Sequence, residues 1–199
     1  PFDSKRAQVQ VGARPGWPDA PGVGRGPGGS RVGDDWSFSL RNITDAVLIR
    51  AQVPQGWAMK SVVINGQDIT DAPMEFPAGQ TVSGMQIVLT KKVTSLAGQV
   101  TDSRGNPVLD ATIVVFPDDE KLWTYQSRFI KAARPDQEGK FRVTGLPGPE
   151  RYLAVALQGL EDGQAGDPEF LATIKDLATR VDLGEGESKS VAVKLSTPK

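Results

Sequence analysis

The chain has 199 residues, 38% of them hydrophobic, with 23 basic against 24 acidic side chains and a net charge of −1. It contains neither Cys nor His, which excludes disulfides, thiolate ligands, an imidazole base and the Ser-His-Asp triad. Balanced charge gives no case for nucleic acid as a partner, and no apolar run approaches the roughly 20 residues of a membrane span.

In chain order, the alternating run Ala7-Gln8-Val9-Gln10-Val11 predicts a half-buried strand. Residues 13–33 are rich in Gly and Pro, with little to bury, and predict a long surface loop bordered by Trp17 and Trp36. A phosphate-cradling reading fails because no strand-to-helix context or Gly-Lys-Ser/Thr ending is present. Strands are then expected at 36–40, 47–53, 57–64 and 82–89, with Asn65-Gly66 as a hairpin signal. A second series follows at 95–100 and 111–116, with residues 122–134 part strand and part loop. Gln137 to Leu157 reads as a turn at Glu138-Gly139, a strand through Phe141 and Val143, a Gly/Pro corner, and a strand over 152–157. One short helix is predicted over about 168–178, with Asp167 as N-cap, Pro168 at its first position and Phe170, Leu171, Ile174, Leu177 and Ala178 on one face. The last strands are expected at 180–183 and 190–195.

The two series can be laid on each other at an offset of roughly a hundred residues. Phe38 then matches Phe141, Ile43 matches Leu146, and Leu48-Ile49-Arg50-Ala51 matches Leu153-Ala154-Val155-Ala156. Gly79 to Leu89 matches Gly186 to Leu195. The expectation is an all-β chain of two tandem β-sandwiches, residues 1–92 and 93–199. Run backwards, the offset places Val9 and Val11 on the strand Ile113 to Val115. The counterpart of the strand Leu96 to Val100 falls before Pro1, so the first sandwich is expected to lack its opening strand. Either the native chain, which starts here at Pro1 and not at Met, extends further N-terminally, or another subunit donates the strand.

The motifs of the second half carry a family resemblance. Ala97-Gly98-Gln99-Val100-Thr101-Asp102, Gly105-Asn106-Pro107-Val108 and Ala111-Thr112-Ile113-Val114-Val115 resemble the start of a carboxypeptidase regulatory-like domain. Gly139-Lys140-Phe141 and Gly145-Leu146-Pro147 with Tyr152 resemble its middle, with Pro149-Glu150-Arg151 as a departure at the corner. The resemblance covers about residues 95–195, and residues 34–90 more loosely. It implies transthyretin-like or prealbumin-like sandwiches, a group also described as carbohydrate-binding-like. Such domains occur in tandem in secreted or outer-membrane-associated bacterial proteins, notably of acidobacteria, and the resemblance brings no peptidase residues and no zinc ligands.

From this the chain is expected not to be an enzyme and to have no catalytic, cofactor or metal residues. The acidic pairs Asp34-Asp35, Asp118-Asp119-Glu120 and Glu161-Asp162 lack the spacing of a calcium loop. Its expected role is a structural or assembly module of the bacterial cell envelope or exterior. It would act through sandwich packing and strand pairing, as a fibre subunit or in a larger complex, with protein as partner by self-association or envelope assembly. The alternative is a carbohydrate-binding module that takes polysaccharide on exposed aromatics. The candidate contacts are Val9 and Val11 at the incomplete edge, Trp17 and Trp36 beside the loop, and Trp123, Tyr125 and Arg128 as a stacking platform.

Overall fold

A computed structural model describes residues 6, 8–18, 30–43, 45–77, 79 and 81–197. Ala7 and residues 19–29, most of the expected loop, lie outside the described residues. The chain is all-β with one short helix, and it divides into two compact units, Pro1–Lys91 and Lys92–Lys199.

The first unit contains β1 (Gln10–Pro15), β2 (Ser30–Arg31), β3 (Ala46–Gln52), β4 (Ala58–Ile64), β5 (Gln67–Asp68), β6 (Met74–Glu75) and β7 (Met85–Thr90). They form one sheet in the order β2-β1-β3-β6 and another in the order β5-β4-β7. Asn65 and Gly66, both left-handed at φ 49° and 80°, make the tight turn between β4 and β5. Two positive φ values in succession match the right-handed twist of the flanking strands, and Asn-Gly accepts them cheaply. The core gathers Val11, Val47, Ile49, Val62, Ile64 and Ile69.

Two expectations need correction here. The first strand starts at Gln10 and runs through Pro15, so the loop begins later than residue 13. It pairs antiparallel with β3 over six positions, from Gln10 opposite Gln52 to Pro15 opposite Val47, and that ladder draws Ala13–Pro15 into the sheet. The strand expected at 36–40 does not form, although its alternation survives: Phe38 and Leu40 are half-buried while Ser37 and Ser39 face out. A period-2 pattern selects a face, but a strand also needs a ladder with a neighbouring strand, and among the described residues no strand pairs with this segment.

The second unit contains β8 (Thr94–Thr101), β9 (Thr112–Pro117), β10 (Lys131–Ala133), β11 (Lys140–Leu146), β12 (Glu150–Leu157), β13 (Thr179–Leu183) and β14 (Ser188–Ser196). Its strand order is β10-β9-β12-β14-β8-β11, with β13 also on β12. Strands β9 and β12 are covered on both faces over residues 113–116 and 152–157, which is why those stretches read as continuous apolar runs. Ile113, Val115, Tyr152, Ala154 and Ala156 point to a core shared with Leu96, Phe141 and Val193. Val114, Phe116, Leu153, Val155 and Leu157 point the other way, onto Trp123 and the helix residues Leu171 and Ile174. The helix, α1 (Pro168–Ile174), is followed by a 3-10 turn at Lys175–Leu177, and Asp167 accepts the amide of Glu169 at 2.9 Å as its N-cap. The Gly/Pro corner between β11 and β12 is tied by the Tyr152 hydroxyl, which donates to the Pro147 carbonyl at 2.6 Å.

A candidate strand-binding groove

In the second unit β8 is a central strand. It pairs antiparallel with β11, Phe141 opposite Gly98 and Val143 opposite Leu96, and parallel with β14, Val191 opposite Gly98 and Val193 opposite Val100. With β8 in place, Phe141, Val143, Leu146 and Val193 are all buried. Gly98 is required by this arrangement, because a Cβ there would run into the Val191 carbonyl oxygen and come within 2.8 Å of the Phe141 ring.

The offset of roughly a hundred residues expected from the sequence carries these positions onto apolar residues of the first unit, where no strand corresponding to β8 is among the described residues. Phe38, Leu40 and Ile43 correspond to Phe141, Val143 and Leu146, and all three are only half-buried. Ile87 of β7, at the place of the buried Val193, is also half-buried, and Met85 is half-buried as Val191 is at the place it matches. Strand β7 is bonded to β4 along one edge and ends its sheet there. Between residues 36–43 and residues 81–85 lies a groove of about 960 Å³, lined also by Ile49 and Phe76. Its exposed rim includes Val82, 40% accessible.

The groove's wall at 36–43 is held by local bonds. Trp36 and Asn42, both left-handed at φ 65° and 56°, bracket it. Asp35 Oδ1 accepts from the Ser37 hydroxyl at 2.7 Å and the Ser37 amide at 3.0 Å. Those bonds hold the Asp35 carboxyl below its ordinary pKa, the side-chain bond from Ser37 being the largest cause. The Ser37 carbonyl accepts from Gly33 and the Ser39 amide donates to the Ser30 hydroxyl, so the outward residues are anchored to their own side. Among the described residues that line the groove, Arg41 is the only charged one.

Val9 and Val11 are buried, Val11 within the first unit's core, so neither side chain offers a surface contact. Trp17 is 45% exposed and Trp36 lines the groove. Trp123 and Tyr125 do not form a platform. The Trp123 ring is buried edge-on against Phe116 at 5.6 Å, and its indole N–H donates to the Pro117 carbonyl at 2.8 Å. The Lys175 ammonium lies over the same ring at 5.6 Å and reaches Glu120 at 2.9 Å and Asp118 at 3.5 Å. Tyr125 remains exposed, and the Arg128 guanidinium lies over Phe129 at 5.3 Å. Among the described residues no group of three or more His, Cys, Asp or Glu could hold a metal ion, and no helix is long and apolar enough to cross a membrane. The residues that line the groove, Phe38, Leu40, Ile43 and Met85, were available to sequence reasoning through the offset that matches them to core positions of the second unit.

No protein-family model matches the chain, and no curated protein matches it in sequence. Among solved structures it resembles the catechol 1,2-dioxygenase of Acinetobacter sp. ADP1 (12% identity, 51% of this chain and 52% of that one, TM-score 0.30). It also resembles the dioxygenase domain of a dioxygenase carbohydrate-binding protein fusion from Streptomyces sp. SirexAA-E (15% identity, 52% and 79%, TM-score 0.29). A third is BcpA, the major pilin subunit of Bacillus cereus (11% identity, 73% and 57%, TM-score 0.33). The chain spans roughly half or less of the length of the chlorocatechol and catechol dioxygenases it matches. The expectation of a non-enzyme is corrected by these likenesses, several of which are to 1,2-dioxygenases. Lack of His and Cys narrows the chemistry open to a chain without removing it from the class of enzymes.

Proposed function

We propose that this chain is a structural module of a protein assembly at the cell envelope or exterior, built from two carboxypeptidase regulatory-like sandwiches and joined to its partner by strand pairing. The observation that carries this reading is the first unit's open groove. Apolar positions that are buried in the second unit are half-buried around it, and β7 ends its sheet beside it. An unpaired edge beside half-covered apolar side chains is a template for another strand. A carbohydrate-binding role has less support, because Trp123 belongs to the core and Tyr125 is left as a single exposed ring. The envelope or exterior location follows from the family resemblance. Native mass spectrometry and negative-stain electron microscopy of the protein in its producing cells' envelope fraction test the reading. Recovery within a larger complex or fibre is expected, and recovery as a free monomer at all concentrations would refute it.

A further inference from the structure

We infer that copies of this chain join head to tail through their second units, the cationic outer face of β11, β8 and β14 in one copy lying against the acidic helix side of the next. This rests on the assembly reading above, and it names a second copy as the partner at a face other than the groove.

The outer face follows from strand register. Successive strand residues alternate sides, and with Leu96, Val100, Phe141, Val143 and Val193 in the core the residues between them face out. Pairing sets Arg142, Ala97 and Ser190 in one row across the three strands, and Lys140, Gln99 and Ala192 in the next. Lys194 follows beside Thr101. The small side chains in the middle leave a shallow depression of about 840 Å³, lined also by Arg134. Arg134, Arg142 and Lys194 are exposed and have no ion-pair partner among the described residues. The two carboxylates nearby are already engaged, Glu138 by the Lys140 ammonium and Asp136 by the amides of Glu138 and Lys140.

The opposite side of the same unit is acidic. The helix α1 lies on β9 and β12 through Leu171 and Ile174, and the Lys175 ammonium ties its C-terminal end to Asp118 and Glu120. That tie brings segments 118–121 and 161–176 into one surface, in which Lys121 and Lys175 are the only cations. Glu161, Asp162, Glu169 and Asp176 are exposed there without an ion-pair partner among the described residues. Leu177, 40% exposed beside Asp176, is an apolar side chain that the small-residue floor of the other face can receive.

Charge selects the arrangement. A two-fold pair through either surface sets cation against cation or acid against acid, which costs energy, whereas face on helix side sets opposite charges together. The two surfaces lie on opposite sides of the unit, so each bound copy still offers one of them and the contact can repeat along a line.

Sedimentation velocity on the purified 199-residue protein tests this. Charges act over about 30 Å at 0.01 M salt and about 3 Å at 1 M, so the association constant should fall by about tenfold or more between the two. Two variants are compared, one with Arg142→Glu and Lys194→Glu on the cationic face, the other with Glu161→Lys and Asp162→Lys on the helix side. Each alone is expected to be monomeric. An equal mixture should form a one-to-one pair that grows no further, because one intact surface of each kind remains. A wild-type monomer at all concentrations in low salt overturns the inference. So does association that neither salt nor either variant weakens, or folded variants that stay monomeric when mixed. Should a variant fail to fold, carbodiimide coupling of wild-type copies labelled with light and heavy nitrogen decides. Links from Lys140 or Lys194 to Glu169 or Asp176 between differently labelled copies are expected, and their absence from an associating sample overturns the contact. Failure here is distinct from failure of the assembly reading. A complex recovered from cells, built from protein that is monomeric by itself in low salt, leaves assembly standing and removes this contact. Head-to-tail association in vitro with only free monomer in cells does the reverse.

Discussion

Replacing Trp123 separates a core role from a surface role. The ring is 6% exposed, packs edge-on against Phe116, and donates its indole N–H to a buried carbonyl at 2.8 Å. Trp123→Ala should cost about 4 kcal/mol, the range for removing a buried large aromatic. Trp123→Phe keeps most of the ring contact and loses the hydrogen bond, for about 1–2 kcal/mol. At roughly 4 °C per kcal/mol, the Ala variant lowers the second unit's melting temperature by about 16 °C. Trp123 is the only tryptophan between Lys92 and Lys199, so both variants lose the fluorescent reporter and unfolding is followed by hydrogen exchange in β9 and α1. Exchange in β1 and β3 of the first unit serves as the internal control. The reasoning fails if Trp123→Ala changes the second unit's stability by less than about 0.5 kcal/mol, the ordinary scatter of surface substitutions.

Three further outcomes are expected. Gly98→Ala should destabilise the second unit by about 3 kcal/mol, at the upper end for overpacking, because the obstructing Val191 carbonyl belongs to a ladder and cannot swing away; chemical denaturation followed at Trp123 measures it. Asp167→Ala removes the cap bond to Glu169 and should cost about 1 kcal/mol, while Asp167→Asn retains most of it in the same assay. Acid should weaken the second unit through Asp102, Asp136 and Glu187. Asp102 is held below its ordinary pKa by the Asn106 side chain first, Asp136 by the Lys140 amide, and Glu187 by the Gly184 amide. A lowered folded pKa gives stability that is present in full above the unfolded value near 4 and is lost as pH falls through the folded value. The urea midpoint should therefore stay flat above about pH 5 and fall below about pH 4. Asp136→Asn should shallow that fall, and an unchanged acid limb would contradict the assignment.

Much of the second unit was legible before any coordinates. Residues 113–116 and 152–157 run on without a charged or strongly polar side chain because both faces of β9 and β12 are covered, one by β8, β11 and β14 and the other by Trp123 and α1. The helix announced itself through Asp167, Pro168 and the spacing of its apolar residues, and the Asn65-Gly66 turn through its chemistry. These are local signals, set by propensity and period. The sequence leaves Trp123 open between a core residue and a platform, because an aromatic between strands carries no mark of which way it points. Only the packing of Phe116 and α1 against it, with Pro117 accepting its N–H, makes it core.

The groove shows the division most sharply. Sequence alone determined that residues 36–40 alternate as a strand does, and an offset of roughly a hundred residues matches Phe38 and Ile43 to Phe141 and Leu146. Tertiary structure decided that the pattern becomes β11 in the second unit and a groove wall outside any strand ladder in the first. Alternation fixes which side chains face inward, whereas a ladder requires a second backbone within hydrogen-bonding reach. In the second unit β8 supplies that ladder, and no described strand pairs with residues 36–40.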